Sequence, residues 1–380
     1  MAERNTDIAI FGAGIAGLWT LALLRGLGYD AVLLEKNSIG GGQSIASQGI
    51  IHSGLKYALA GKVSDVARSI SAMPERWREA LSGKGPVDLS AASRETGSQM
   101  LLIPHGMVGG IVKIVTEKAL GKSAHEIDRE SWPEQLKSAG FKGTAVQMSE
   151  PVLDIPAIIH ALAEPHRDHI RKISAAEDVI GTIKAKAYIF TAAEGNERFA
   201  RRHHHNGGLE TQARPLVMTM IKNAPFPLHA HLVGTSEKPV ATITTHHIKD
   251  GTPVWYIGGG VAEKPKNTSP ANIFQDVRAA LKKYLPNVDL SKTQWAALPI
   301  DRIEGRSEKY ESMPDTPTIH VADNCVYCWP TKLTFAPLLG DMILSYLKNS
   351  NIRPGTEKND WSFLPQAPYS DTPWDKATWI

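Results

Sequence analysis

Apolar positions along this chain change their period several times, and each change marks an element. Ile8-Ala9-Ile10-Phe11 is apolar throughout, the pattern of a parallel strand covered on both faces. A helix is expected from about Gly14 to Leu27, and Ala31-Val32-Leu33-Leu34-Glu35 then reads as a second buried strand. Lys186–Phe199 reads as a buried strand running out into small residues. Cys325–Trp329 is a further strand, with a turn and a helix from about Phe335 after it. Strand-like runs also occupy Arg214–Lys222, His229–Gly234, Val240–His246 and Pro253–Glu263, with Lys249-Asp250-Gly251 as a hairpin turn before the last. Ile273, Val277, Ala280, Leu281 and Tyr284 recur at helical spacing and give one amphipathic face. The tail after Ser350 is irregular and rich in Pro, Trp and Asp, and its aromatics are expected to pack on the body.

Ile8–Leu24 carries no charge and approaches the ~17 residues that span a bilayer. Its flanks argue otherwise. Glu3, Arg4 and Asp7 precede it without the basic excess of an export signal, and Gly12, Gly14 and Gly17 interrupt it. These glycines, in Gly12-Ala13-Gly14-Ile15-Ala16-Gly17, fit the G-x-G-x-x-G turn between a strand and a helix. Gly12 permits the tight turn, Gly14 lets backbone approach a pyrophosphate, and Gly17 lets the helix pack on the strand. The helix start offers free N–H groups and a positive dipole end to that phosphate. Glu35 stands where a carboxylate accepts from a ribose hydroxyl, which disfavours a 2′-phosphate and leaves FAD or NAD.

Composition narrows the class. Across 380 residues, 42% are hydrophobic, and 42 basic against 39 acidic residues leave a net charge of +3. That is an ordinary globular protein of two or three domains, too balanced for a nucleic-acid binder. With two cysteines there is no disulfide framework, and a reducing, cytoplasmic setting without an integral membrane segment is expected.

The segment after Glu35 separates the two dinucleotides. In place of a regular second helix comes a glycine-rich stretch and Ser47-Gln48-Gly49-Ile50-Ile51-His52-Ser53-Gly54, with Tyr57 beyond. This resembles the D-amino-acid-oxidase-like superfamily of FAD enzymes, closest to its glycerol-3-phosphate dehydrogenase and L-2-hydroxyglutarate dehydrogenase branches. Val152–Leu162 is similar to the family's strand-and-helix start of a second FAD segment. Thr191, Ala192, Ala193 and Gly195 match its Ala-x-Gly turn, from which Glu194 departs. Asp315 and Pro317 match its closing segment. Trp329-Pro330-Thr331-Lys332 replaces the usual Gly-His-Gly-like turn, and Lys332-Leu333-Thr334 partly matches a Gly-Gly-Lys-x-Thr-Thr run.

The resemblance implies an α/β (overall α+β) chain. A Rossmann-like FAD-binding domain would come from 1–75, 150–212 and 295–380. An interleaved antiparallel-sheet substrate domain would come from 76–149 and 213–294. The implied FAD contacts are Gly12, Gly14, Ile15, Ala16, Gly17, Glu35, Lys36, Gly42, Ser44, Ser47, Gln48, Gly49, Ile51, Val152, Ala192, Ala193, Gly195, Thr331, Lys332, Leu333 and Thr334. Neither cysteine matches the family's covalent flavin positions, so the FAD is expected to be noncovalent.

The expected activity is oxidation of a small polar substrate at a CH–OH or CH–NH bond by hydride transfer to flavin N5. His52 is the first candidate for a base and His246 the second. Arg302 and Arg306 are candidates for a substrate carboxylate. Two rivals remain: a non-catalytic FAD-binding protein of the same fold, and an NAD-dependent dehydrogenase. No residue pattern names the electron acceptor. No metal is expected: His203-His204-His205 reads as a solvated loop, and His229 and His231, on one strand face, have no convincing third ligand. Cys325 and Cys328, three apart on a strand, face opposite sides and should not pair.

Overall fold

A computed structural model describes residues 4–54, 70–92, 95–106, 124–175, 179, 181–205, 209–236, 238–306, 316–330, 332–356 and 358–380. Two sheets organise them. The first has six strands in the order β13-β14-β7-β1-β2-β6. These are β1 (Arg4–Phe11), β2 (Ala31–Glu35), β6 (Ile170–Lys172), β7 (Ile183–Phe190), β13 (Thr318–Ala322) and β14 (Cys325–Trp329). All neighbours are parallel except the β13–β14 hairpin.

Helices α1 (Ile15–Gly26), α3 (Ile155–Ala163) and α6 (Ala336–Asn349) cover one face of this sheet, with α2 (Met73–Leu81) outside them. Their core holds Ile8, Ile10, Leu33, Trp19 and Trp77. The other face packs Phe11, Phe190 and Tyr327 under Phe199 of α4 (Glu194–Arg202). Burial on both faces explains why β1 and β2 read as unbroken apolar runs. Cys328 belongs to the first core and Cys325 to the second, opposite sides as strand geometry requires, and both are free thiols. The expected helix at Phe335 begins as a 3-10 turn over Leu333–Phe335, and α6 continues from Ala336.

The second sheet has eight strands in the order β12-β8-β11-β10-β9-β3-β5-β4. They are β3 (Glu95–Pro104), β4 (Ala124–Ile127), β5 (Gly143–Leu153), β8 (Thr211–Lys222), β9 (Ala230–Leu232), β10 (Ala241–His247), β11 (Pro253–Gly258) and β12 (Gln294–Gly305). Pairing is antiparallel except between β3 and β9. The strands expected from apolar runs at 214–263 are there. The sheet also takes β3, β4 and β5 from earlier in the chain, and β12 from beyond the division expected at 295. Helix α5 (Pro270–Tyr284) covers its outer face, burying Ile273, Val277, Leu281 and Tyr284 against Ile221, Trp255 and Trp295. Its Ser269 N-cap accepts from Asn272 N.

The sheets meet where β5 leaves the second and feeds α3 of the first layer, through an Asp154 N-cap that accepts from Ala157 N. Among the described residues no helix is long and apolar enough to cross a membrane.

Candidate active site

A cavity of about 1200 Å³ runs between the two sheets. That exceeds the ~300–1,000 Å³ usual for a small ligand and suits an extended dinucleotide with a substrate beside it. One end is the glycine turn. Gly12 has φ +100°, and a Cβ on Gly17 would lie 2.0 Å from Gly12 O, so neither tolerates a side chain. The N–H groups in the first turn of α1 have no acceptor within the helix, and that of Ile15 donates to Ser44 Oγ at 2.9 Å. Glu35 turns its carboxylate into this end: Oε2 accepts from Ala13 N and Oε1 from Asn37 N, both at 2.6 Å. Each oxygen keeps a lone pair for a ribose hydroxyl. Gly42 has φ +66° and no heavy atom within 4 Å of a notional Cβ, so bare backbone faces the cavity there. Helix N–H groups, a carboxylate and a side-chain-free wall form a donor set that fits a pyrophosphate flanked by sugars.

The segment after Gly42 is tied to the second sheet. Gln43 Oε1 accepts from Ile303 N, Gln48 Nε2 donates to Thr242 O and Tyr256 O, and Tyr256 Oη donates to Ala46 O. The chain then runs beside the end of β5. Leu153 N donates to Gly49 O and Ile51 N to Pro151 O, each at 2.9 Å. His52 N donates to Thr334 Oγ1, which itself donates to Ile50 O. These bonds fix His52 on the cavity wall next to Glu150 of β5.

Ser53 holds Oε1 of Glu150 from its backbone N at 2.7 Å and its Oγ at 2.9 Å. The other oxygen, Oε2, lies 3.4 Å from His52 Nδ1 and 3.6 Å from His231 Nε2. His231 Nδ1 is 2.9 Å from Thr242 Oγ1. Burial pushes the Glu150 carboxyl up, but hydrogen bonds from His231 and His52 outweigh it and hold it well below the usual range. It is therefore an ionised carboxylate, 3% exposed, held between two imidazoles.

An arginine pair lies on another part of the roof. Arg214 and Arg302 face each other across β8 and β12, and both line the cavity. Arg214 grips Glu304 with two bonds of 2.9 and 2.8 Å, while Arg302 Nε stands 4.0 Å from the same carboxylate. Two guanidinium groups thus share one buried carboxylate, and the Glu263 carboxylate also acts on both. Burial lowers the Arg302 pKa, and Arg214 beside it adds to the effect.

Most of the expected contacts line this cavity: Gly12, Gly14, Ile15, Ala16, Glu35, Lys36, Gly42, Ser44, Ser47, Gln48, Gly49, Ala192, Ala193, Gly195, Lys332, Leu333, Thr334, and of the catalytic candidates His52 and Arg302. Others do not. Gly17 packs behind the turn against Gly12 and Thr191. Ile51 is turned into the core, and Val152 is fully buried where its backbone bridges Ile50. His246 lies further along β10, stacked on Trp374 at 4.4 Å with Nε2 on Thr244 Oγ1, and burial drives its pKa down to about 3. Arg306 pairs with Glu210 away from the cavity. Tyr57, Asp315 and Thr331 lie outside the described residues. Glu194, the departure from the family turn, opens α4 on the cavity edge.

Sequence reasoning missed Glu150, Arg214 and Glu304. Their only signal is a charge inside a strand-forming run. His229 and His231 stand out in the sequence as a pair, but the fold sets His231 alone beside Glu150, with His52 on the other side of that carboxylate and His229 outside the group.

Comparison with known proteins agrees with this geometry. The family model for FAD-dependent oxidoreductases of the DAO type matches residues 7–344. A probable FAD-dependent oxidoreductase of Pseudomonas aeruginosa, PA4991, is 37% identical over 390 residues, covering 98% of each chain. Its crystal structure superposes with a TM-score of 0.83 over 99% of both chains at 34% identity. An FAD-bound L-alpha-glycerophosphate oxidase of Mycoplasma pneumoniae shares the fold, with a TM-score of 0.63 at 14% identity over 97% of this chain and all (100%) of that one. The matched span takes in the glycine turn, the His52 loop and Glu150 alike, and the chain belongs to the DAO family of FAD-dependent oxidoreductases.

Proposed function

We propose that the protein binds FAD noncovalently and oxidises a small anionic substrate at a CH–OH bond, in the manner of the glycerol-3-phosphate and L-2-hydroxyglutarate branches. The observation that carries this reading is the His52–Glu150 contact on the cavity wall. Removing hydride from an alcohol requires a base for the hydroxyl proton, whereas a neutral amine requires none. Bound FAD supplies the two-electron acceptor for the substrate's carbon-bound hydrogen.

The chain's own residues do the rest. Glu150 accepts from His52 Nδ1–H, which leaves the lone pair on Nε2 for the substrate hydroxyl. As His52 becomes an imidazolium, the ionised Glu150 stabilises it, and the two bonds from Ser53 keep that carboxylate from turning away. Arg302, with Arg214 behind it, offers a guanidinium to a substrate carboxylate or phosphate. Gly12, Gly14, Ala16, Glu35 and Ser44 would hold the dinucleotide. Lys332, on the cavity wall before α6, can add positive charge near the reduced ring.

The test is anaerobic reduction of the purified flavoprotein, read as bleaching of the ~450 nm flavin band. Glycerol 3-phosphate, short 2-hydroxy acids and amino acids would be offered in turn. Bleaching by hydroxy compounds is expected. Bleaching by amino acids alone overturns the CH–OH reading, and a flavin that no compound bleaches favours a non-catalytic binding protein.

A further inference from the structure

His52, Glu150 and His231 come from three distant parts of the chain, yet one ligand atom from each lies within 4.8 Å of the others. Among the described residues they are the one such group of three His, Cys, Asp or Glu side chains. Bonds of about 2.0–2.2 Å to a tetrahedral ion set neighbouring donors about 3.4 Å apart. Two edges of the triangle already match: 3.4 Å from Glu150 Oε2 to His52 Nδ1, and 3.6 Å to His231 Nε2. The third edge, between the histidines, is no longer than 4.8 Å, and His52, the most exposed of the three, is the one that would turn to shorten it.

The surroundings are those of a ligand set. Thr242 Oγ1 holds His231 Nδ1 and so turns Nε2 toward Glu150. Ser53 occupies Oε1 of Glu150 and leaves Oε2 facing the histidines. All three residues line the cavity, so a fourth position is open to a ligand from within it. Two imidazoles and one carboxylate suit a borderline divalent transition metal rather than Mg²⁺ or Ca²⁺.

We infer that His52, Glu150 and His231 form an inhibitory site for a divalent transition-metal ion, with Zn²⁺ as the probe. Its inhibitory half rests on the reading of His52 as the base. In the metal-free protein the His52 proton sits on Nδ1 and is donated to Glu150. An ion on Nδ1 displaces that proton and the one on His231 Nε2. A neutral His52 then carries its remaining proton on Nε2, where the base needs a lone pair. Ion and substrate proton thus compete for a single histidine.

Chelator-treated holoenzyme is dialysed to equilibrium against micromolar ZnSO₄, alongside Glu150→Gln, His231→Ala and, as a control on the surface histidines, His204→Ala. One Zn²⁺ per chain is expected, bound at least ~10-fold more weakly by the first two variants and unchanged in the third. FAD content and circular dichroism report whether each variant folds; should Glu150→Gln fail, His231→Ala carries the test. No uptake by the wild type, or uptake kept by both site variants, overturns the site. Zn²⁺ is also expected to halt flavin reduction, with recovery on adding chelator. If the ion binds at these residues but reduction proceeds unchanged, the inhibitory half fails together with the base reading, and the metal site stands.

Discussion

Ser53 donates twice to one oxygen of Glu150, from its backbone N and from its hydroxyl. Two bonds on Oε1 leave Oε2 as the face that meets His52 and His231, so the serine next to His52 in the chain sets which carboxylate oxygen does the positioning. Glu150→Gln keeps the shape and removes the charge. Flavin reduction is expected to slow by ~10- to 100-fold with KM little changed, because an amide stabilises an imidazolium poorly. Stopped-flow reduction measures it. A KM effect alone would assign Glu150 to substrate binding instead.

The same carboxylate gives a pH dependence with a definite sign. Its pKa is depressed in the folded protein, so its charge contributes stability that is fully present above the unfolded value of 4.5. That contribution is lost as pH falls through the lower folded value. The difference in thermal midpoint between wild type and Glu150→Gln should therefore narrow as pH falls below 4.5. A gap that holds or widens as pH falls below 4.5 contradicts the assignment.

His52→Ala is expected to slow flavin reduction by ~10²–10⁴ while FAD stays bound, the range for losing a positioned base. Reduction slowed less than tenfold would make His52 a packing residue. His246→Phe is the matching control. That ring is buried between Thr244 and Trp374 and stays neutral down to a pH of about 3, so reduction should be unchanged. The lost Thr244 bond costs about 1 kcal/mol in stability.

Whether a feature is legible in the sequence depends on how local its causes are. The glycine turn, β1, β2 and Glu35 are close in sequence, and local steric rules fix them. Cys325 and Cys328 are separable because strand alternation is local too. The His52 loop can be picked out by resemblance, but Glu150 lies far along the chain, and they come together through the pairing of Ile50 with Val152 and the bonds from Ser53. His246 misleads for the same reason. Its alternation on β10 puts it on the face of Thr242 and Thr244, but the tail that covers it arrives from the other end of the chain. The Arg214–Glu304–Arg302 group is set by strand register, which no single segment encodes.

Arg302→Lys tests the anion end. Lysine keeps a charge but loses the planar fork. KM for a carboxylate or phosphate substrate should rise ~10-fold or more, with reduction at saturation little changed. Steady-state kinetics against an uncharged analogue gives the contrast, because its KM should not move. Equal shifts for both compounds would point to a disturbed roof rather than a lost anion contact.

The tail supplies the last prediction. Pro365 O accepts from Lys172 N on β6, and Tyr369 bridges Ile39 beside the glycine-rich wall, so residues 365–370 belong to the first sheet's side. Ile380 then exchanges two backbone hydrogen bonds with Trp295 on β12, at 2.8 and 3.0 Å, which fastens the chain's end to the second sheet. Between these anchors Trp374 is buried against Leu216, Met218 and Tyr256, two of which line the cavity. The tail therefore straps roof to floor across the site. Trp374→Ala should lower stability by about 3–5 kcal/mol, the cost of emptying a buried indole site. It should also release FAD at a lower temperature than global unfolding, because the roof can lift before the parallel sheet melts. Flavin fluorescence and circular dichroism recorded in one thermal scan separate the two events. If both shift together by the same amount, Trp374 is core packing and the strap has no hold on the cofactor.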